Sequence, residues 1–146
     1  MKKIYAEHHH DAGSGTLEGY VVNIKEENWK IFLEKEMPDI ASYVIENIEK
    51  SGIEKIAVLK SINVDPAARG YGLGGALMNS FFEEDFELAI LAADSIEEQA
   101  LGFSLVKWYE SYDFVAVPHA SSGVRLMGYG DKLDWLNLIP RFKSKP

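Results

Sequence analysis

Apolar positions along the chain follow two periods, and the changes between them divide it into elements. Leu17 to Ile24 alternates and carries enough β-branched residues for a strand. Helical spacing follows, with Trp29, Phe32 and Leu33 and then Ile40, Val44 and Ile48 three and four residues apart. Proline is tolerated in a first helical turn and breaks an interior, so Pro38 divides this region into a helix over 27–36 and another over 39–50. Gly52 offers the second helix a left-handed cap. Ile53, Ile56, Val58, Ile62 and Val64 then mark one long strand or two short ones, with Lys60-Ser61 as the place for a break or bulge. Leu73, Leu77, Met78, Phe81 and Phe82 line one stripe of a helix over 72–84, and Phe86 to Ala92 reads as a buried strand. A last helix over 96–111 gathers Leu101, Leu105, Trp108, Tyr109 and Tyr112, and two strand-like runs, 115–117 and 124–127, flank the turn-prone Ser121-Ser122-Gly123. This interleaving predicts a layered α/β domain in which helices cover a mixed sheet.

A length of 146 residues, with 47% apolar and 26% charged positions, fits one folded domain with a single core, without repeats or an interdomain linker. The polar, small-residue stretch His8 to Thr16 reads as a peripheral solvated loop, and the basic tail from about Pro140 as a frayed end. Only His8 and His10 of the three consecutive histidines could share a side, and no cysteine is present, so no metal site is expected. A net charge of −8 disfavours a phosphate backbone as partner. No apolar run is long enough to cross a bilayer and the first residues lack a signal-peptide core, so a cytoplasmic protein is expected. The apolar stretch Leu133 to Ile139 either packs on the sheet or forms an interface, with a homodimer as one outcome.

The most informative stretch runs from Ile62 through Asp65-Pro66-Ala67-Ala68-Arg69-Gly70-Tyr71-Gly72-Leu73-Gly74-Gly75 to Leu77: a strand, a turn, and a helix opened by glycines. Glycines permit close approach to the backbone, and the unmatched amides and dipole of a helix start attract an anion, which implies a phosphate or diphosphate ligand. A nucleoside-triphosphatase loop is excluded because Gly74-Gly75-Ala76 supplies neither lysine nor hydroxyl. A dinucleotide fingerprint matches by spacing, with Gly70, Gly72, Gly75 and a later Asp94. Against it, Asp65 to Arg69 intervene between strand and first glycine, and little chain follows Asp94.

Arg69-Gly70-Tyr71-Gly72-Leu73-Gly74 resembles the R/Q-x-x-G-x-G/A signature of the GNAT family of N-acetyltransferases, and Trp108-Tyr109-Glu110-Ser111-Tyr112-Asp113-Phe114 resembles the aromatic-Tyr-Glu-x-x-Gly-Phe ending of that family's next helix. With the element order, the resemblance covers about residues 17 to 128. It departs from the family at Gly102 and Leu105, where an Asn and a small residue are usual, and at Asp113, where glycine is usual. The resemblance implies a mostly antiparallel central sheet flanked by helices and acetyl-CoA as acyl donor to a primary amine, on a small molecule or a protein. It further implies that Arg69, Gly70, Tyr71, Gly72, Leu73, Gly74 and Gly75 hold the diphosphate, that Ile62, Asn63 and Val64 pair with the pantetheine arm, and that an amide of Val64 or Asn63 polarises the thioester oxygen. Tyr109 matches the position whose phenol protonates the departing thiolate, while Trp108 and Tyr112 read as core. Asp65, Asp94 and Glu27 stand open as general bases. A non-catalytic acyl-CoA-binding module on the same fold is the alternative.

Overall fold

The structure is a computed structural model and describes residues 1–26, 28–38, 41–49, 51–94, 104–121 and 124–130. Strands β1 (Lys2–His10) and β2 (Gly13–Asn23) form an antiparallel hairpin paired from Lys2↔Val21 to His10↔Gly13. The loop expected over His8 to Thr16 is thus a strand pair. Its polar residues fit because β1 is an edge strand, paired with β2 alone, and one of its faces meets water. His8 reaches Ser80 Oγ at 3.1 Å, while His9 lies 3.2 Å from the Glu7 carboxylate.

Helices α1 (Trp29–Glu36) and α2 (Ala41–Glu49) follow, α1 starting two residues later than its apolar spacing predicts. They cover one face of the sheet through Trp29, Leu33, Val44 and Ile48, packed on Ile56, Val58, Leu88 and Ile90. Gly52 adopts the left-handed conformation beyond α2, as expected, with φ 77°. Strand β3 (Lys55–Val64) runs unbroken to a single 3-10 turn (Pro66–Ala68) and into α3 (Leu73–Phe82). After β4 (Leu88–Asp94), helix α4 (Leu105–Glu110) begins behind its N-cap Ser104, so the helix expected over 96–111 starts no earlier than Leu105 in this segment, and it is followed by the paired strands β5 (Val115–Ser121) and β6 (Val124–Tyr129). Leu77, Met78, Phe81, Leu105 and Tyr109 from α3 and α4 cover the other face, against Ala57, Leu59, Ala89 and Leu91.

The sheet order is β1-β2-β3-β4-β6-β5, with β3 and β4 parallel and the remaining neighbours antiparallel. This mixed, mostly antiparallel sheet matches the expected architecture and contradicts a dinucleotide fold, whose sheet is essentially parallel. The irregularity anticipated at Lys60-Ser61 is a bulge: Glu18 pairs with Ser61 and Gly19 with Leu59, which leaves Lys60 without an opposite residue. Gly19 is required there, since a Cβ would lie 2.5 Å from the Val58 carbonyl oxygen. Lys60 turns to the α1 side and pairs with Glu36 at 3.2 Å; this bond and charge hold its ammonium pKa above the ordinary 10.5. Among the described residues no helix is long and apolar enough to cross a membrane. Leu133 to Ile139, the tail and residues 96–103 of the expected helix span lie outside the described residues.

Candidate functional site

The parallel pairing of β3 with β4 runs from Ile56↔Leu88 only as far as Leu59↔Leu91. Beyond that point β3 stays on β2, with Ile62 opposite Leu17 and Val64 opposite Gly15, while β4 stays on β6. The two strands part and leave a wedge between them. Alternation along an antiparallel ladder decides which backbone groups face it. The Asp65 amide donates to the Ser14 carbonyl at 2.9 Å, so Asn63, two residues back, also turns its amide toward β2. Ile62 and Val64 therefore turn theirs to the open side. The Val64 carbonyl there accepts a bond from Arg69 Nε at 3.3 Å.

At the mouth of the wedge the chain enters α3 through two left-handed glycines, Gly70 at φ 89° and Gly72 at φ 84°. A Cβ on either would meet nothing within 4 Å, so the space around the turn is open. Gly72 is the N-cap and has no side chain with which to cap; the Ala76 amide makes the bond back to the Gly72 carbonyl, at 3.1 Å. The amides of Leu73, Gly74 and Gly75 precede it and lack intrahelical acceptors. Three aimed donors, the helix dipole and the nearby Arg69 guanidinium make this an anion-attracting corner.

The wedge and the corner are one cleft of about 550 Å³, lined among others by Ile62, Asn63, Val64, Arg69, Gly72 and Gly75. Gly70, Leu73 and Gly74 also line it, so nine of the expected binding residues meet there. Tyr71 belongs to the loop, but its exposed ring turns outward and stacks on His10. Tyr109 is buried, 7% exposed, behind the cleft wall, with its ring against Trp108 and Phe114 and in one cluster with Leu59 and Leu91.

Two residues read as core, Trp108 and Tyr112, do pack against the core cluster but also line the cleft, half-buried on α4 and the turn after it. The reason is the missing side chains opposite. A Cβ on Gly74 would lie 3.0 Å from the Trp108 ring, and one on Gly75 would lie 3.3 Å from the Tyr112 hydroxyl. The spacing of Leu105, Trp108 and Tyr112, three and four apart, marks one helix face and carries no sign that a cleft adjoins it. Asp65, one open candidate for a base, uses its carboxylate to accept the Ser14 amide at 2.8 Å.

The turn after α4 has Asp113 where the resemblance led to the expectation of glycine. Asp113 itself adopts φ 70°, and the Asp113 and Phe114 amides bond back to Glu110 and Tyr109. Aspartate is among the few non-glycine residues that tolerate this region.

These features define a mixed α/β sheet that opens between its two parallel strands, with a glycine-opened helix at the opening. No protein-family model matches the chain, and no curated protein sequence matches it significantly. In fold it is similar to solved structures of N-acetyltransferases. One is Arabidopsis thaliana NAA60 in complex with acetyl-CoA, at 15% identity and a TM-score of 0.46, over 79% of this chain and 64% of that one. Another is the Drosophila melanogaster polyamine N-acetyltransferase, at 12% identity and a TM-score of 0.48, over 80% of this chain and 68% of that one. At such identity the likeness concerns the fold alone, and the chemistry below rests on the cleft.

Proposed function

We propose that the chain is an acetyl-CoA-dependent N-acetyltransferase acting on a primary amine. One observation carries this reading: a strand-lined wedge with inward-facing amides leads directly to an anion corner with open space. A diphosphate fits that corner because Gly70 and Gly72 leave it unfilled, and the Leu73, Gly74 and Gly75 amides with Arg69 would hold its charge. An amide-bearing arm fits the wedge, where Ile62 and Val64 present backbone groups as a neighbouring strand would.

Acetyl-CoA, when bound, supplies an activated thioester for direct attack by the amine. The Val64 amide, which faces the wedge, would be the donor for the thioester oxygen, in preference to that of Asn63; a preorganised donor of this kind is worth about 3–4 kcal/mol in the transition state. Tyr109 is the expected proton source for the leaving sulfur; it is buried and does not line the cleft, so this role requires its hydroxyl to reach the sulfur across the α4 wall. Incubating the purified chain with acetyl-CoA and an amine panel, while following free thiol, tests this directly, since the chain contributes no thiol of its own.

One observation favours the alternative of an acyl-CoA-binding module without turnover. Among the described residues lining the cleft none is a carboxylate or an imidazole to accept the ammonium proton. Binding of coenzyme A with no thiol release across chemically varied amines would select that reading.

A further inference from the structure

Three residues at the tip of the β1–β2 hairpin, His10, Gly13 and Ser14, touch the loop that leads into the anion corner. At the loop's entry the Asp65 amide donates to the Ser14 carbonyl at 2.9 Å, and the Asp65 carboxylate accepts the Ser14 amide at 2.8 Å. In its middle, Gly13 is so close that a Cβ would stand 2.9 Å from Asp65 and 3.2 Å from Ala68. At its exit the Tyr71 ring stacks on the His10 ring, with centroids 4.0 Å apart and planes at 21°.

The third tie acts where the loop is least constrained by its own sequence. Tyr71 sits between two left-handed glycines, and glycine leaves the backbone more freedom than any other residue. Tyr71 is 57% exposed, and the His10 stack is its one ring contact among the described residues. The His10 ring is held in turn by the hairpin, because its Nδ1 accepts the Ala12 amide at 3.0 Å.

We infer that His10 is a positioning residue for the diphosphate-binding turn: its ring face fixes Tyr71, and Tyr71 fixes the two glycines that aim the α3 amides. This rests on the reading of the corner as a diphosphate site. The operative feature is the flat ring, so a phenyl group serves where an aliphatic side chain does not.

The test is calorimetric titration of the full chain with coenzyme A, in His10→Ala, His10→Phe, Tyr71→Ala and the His10→Ala/Tyr71→Ala double variant. The expected result is that His10→Ala and Tyr71→Ala each weaken binding roughly three- to tenfold, the order expected of one aromatic pair. His10→Phe should restore most of the loss, and the double variant should bind no worse than Tyr71→Ala, because the two act as one unit. Thermal midpoints should stay close to wild type, since both rings are exposed. Unchanged affinity in His10→Ala, no rescue by Phe, or additive losses in the double variant would each overturn the inference while leaving the site reading intact. Absence of coenzyme A binding in the wild type would instead remove the site reading on which it rests.

Discussion

Gly72 offers a way to separate backbone strain from electrostatics in the proposed anion corner. It caps α3 at φ 84°, and a Cβ there meets nothing within 4 Å. A side chain at this position therefore costs conformational strain of about 1–2 kcal/mol and no clash. Gly52, at φ 77° beyond α2, has the same two properties and lies near the opposite end of β3, which makes it a matched control. Both glycines would be replaced by Lys and by Glu. Against a total stability of about 5–15 kcal/mol all four variants should remain folded, with midpoints lowered by about 2–8 °C. Their affinities for coenzyme A should not run in parallel. A side-chain charge at 72 stands roughly 6 Å from a diphosphate on the first turn of α3, which gives about 0.7–3 kcal/mol per charge pair for an effective dielectric of 80 down to 20. Changing Lys to Glu doubles this, so Gly72→Lys should bind coenzyme A at least about tenfold more tightly than Gly72→Glu, and added salt should narrow the gap. The Gly52 pair should differ by less than about twofold, its charge lying several Debye lengths away. Equal affinity in Gly72→Lys and Gly72→Glu would refute the placement of the anion.

Tyr109→Phe should lower turnover by about a hundredfold while leaving coenzyme A affinity unchanged, as expected for loss of a general acid; unchanged turnover would assign the phenol to packing. Asp113→Gly should raise stability by about 0.5–1 kcal/mol, seen as a higher chemical-denaturation midpoint at constant slope, because glycine relieves the positive φ that Asp113 now carries. A lower midpoint would show that the aspartate side chain stabilises this turn by more than its strain costs. The Lys60–Glu36 pair should give a pH signature of defined sign. The folded-state pKa of Lys60 is raised above 10.5, so its stabilisation is present below that value and fades as pH rises through the folded pKa. Glu36→Gln should abolish this alkaline loss, and stability curves of the two proteins that stay parallel there would contradict the pairing.

The elements were legible where packing follows period, as in α3 and α2, whose buried residues fall on the expected stripes, whereas β3 is buried on both faces from Ile56 to Leu59 and only half-buried at Ile62 and Val64. Illegible parts had physical reasons. The His8–Thr16 stretch lacks an apolar alternation because β1 is an edge strand, so polar residues could not distinguish it from a loop. Trp108 and Tyr112 looked like core because aromatic residues on an apolar helix face usually are. What exposes them to the cleft is the lack of side chains on Gly74 and Gly75, a pairing between helices that no local period encodes. The glycine-opened helix start was visible as a motif, since its two left-handed positions and its missing cap are written in residue types.

The wedge itself follows from one extra residue. A bulge bends and twists the strand that carries it. Lys60 is inserted immediately after the last parallel pair, Leu59↔Leu91, so β3 turns away from β4 at that point while its pairing with β2 continues to Val64. Separation leaves backbone amides and carbonyls without strand partners, which would be costly in a dry interior. Here Ile62 and Val64 are half-buried and line an open cleft, so water can reach those groups, and Arg69 Nε already satisfies the Val64 carbonyl. A ligand with amides spaced like a peptide can replace that water with little penalty. The same bulge that interrupts the sheet thus prepares a strand-shaped vacancy directed toward the anion corner, and Gly19, the residue without which the bulge cannot close on Val58, is remote in sequence from every glycine that contacts the cleft.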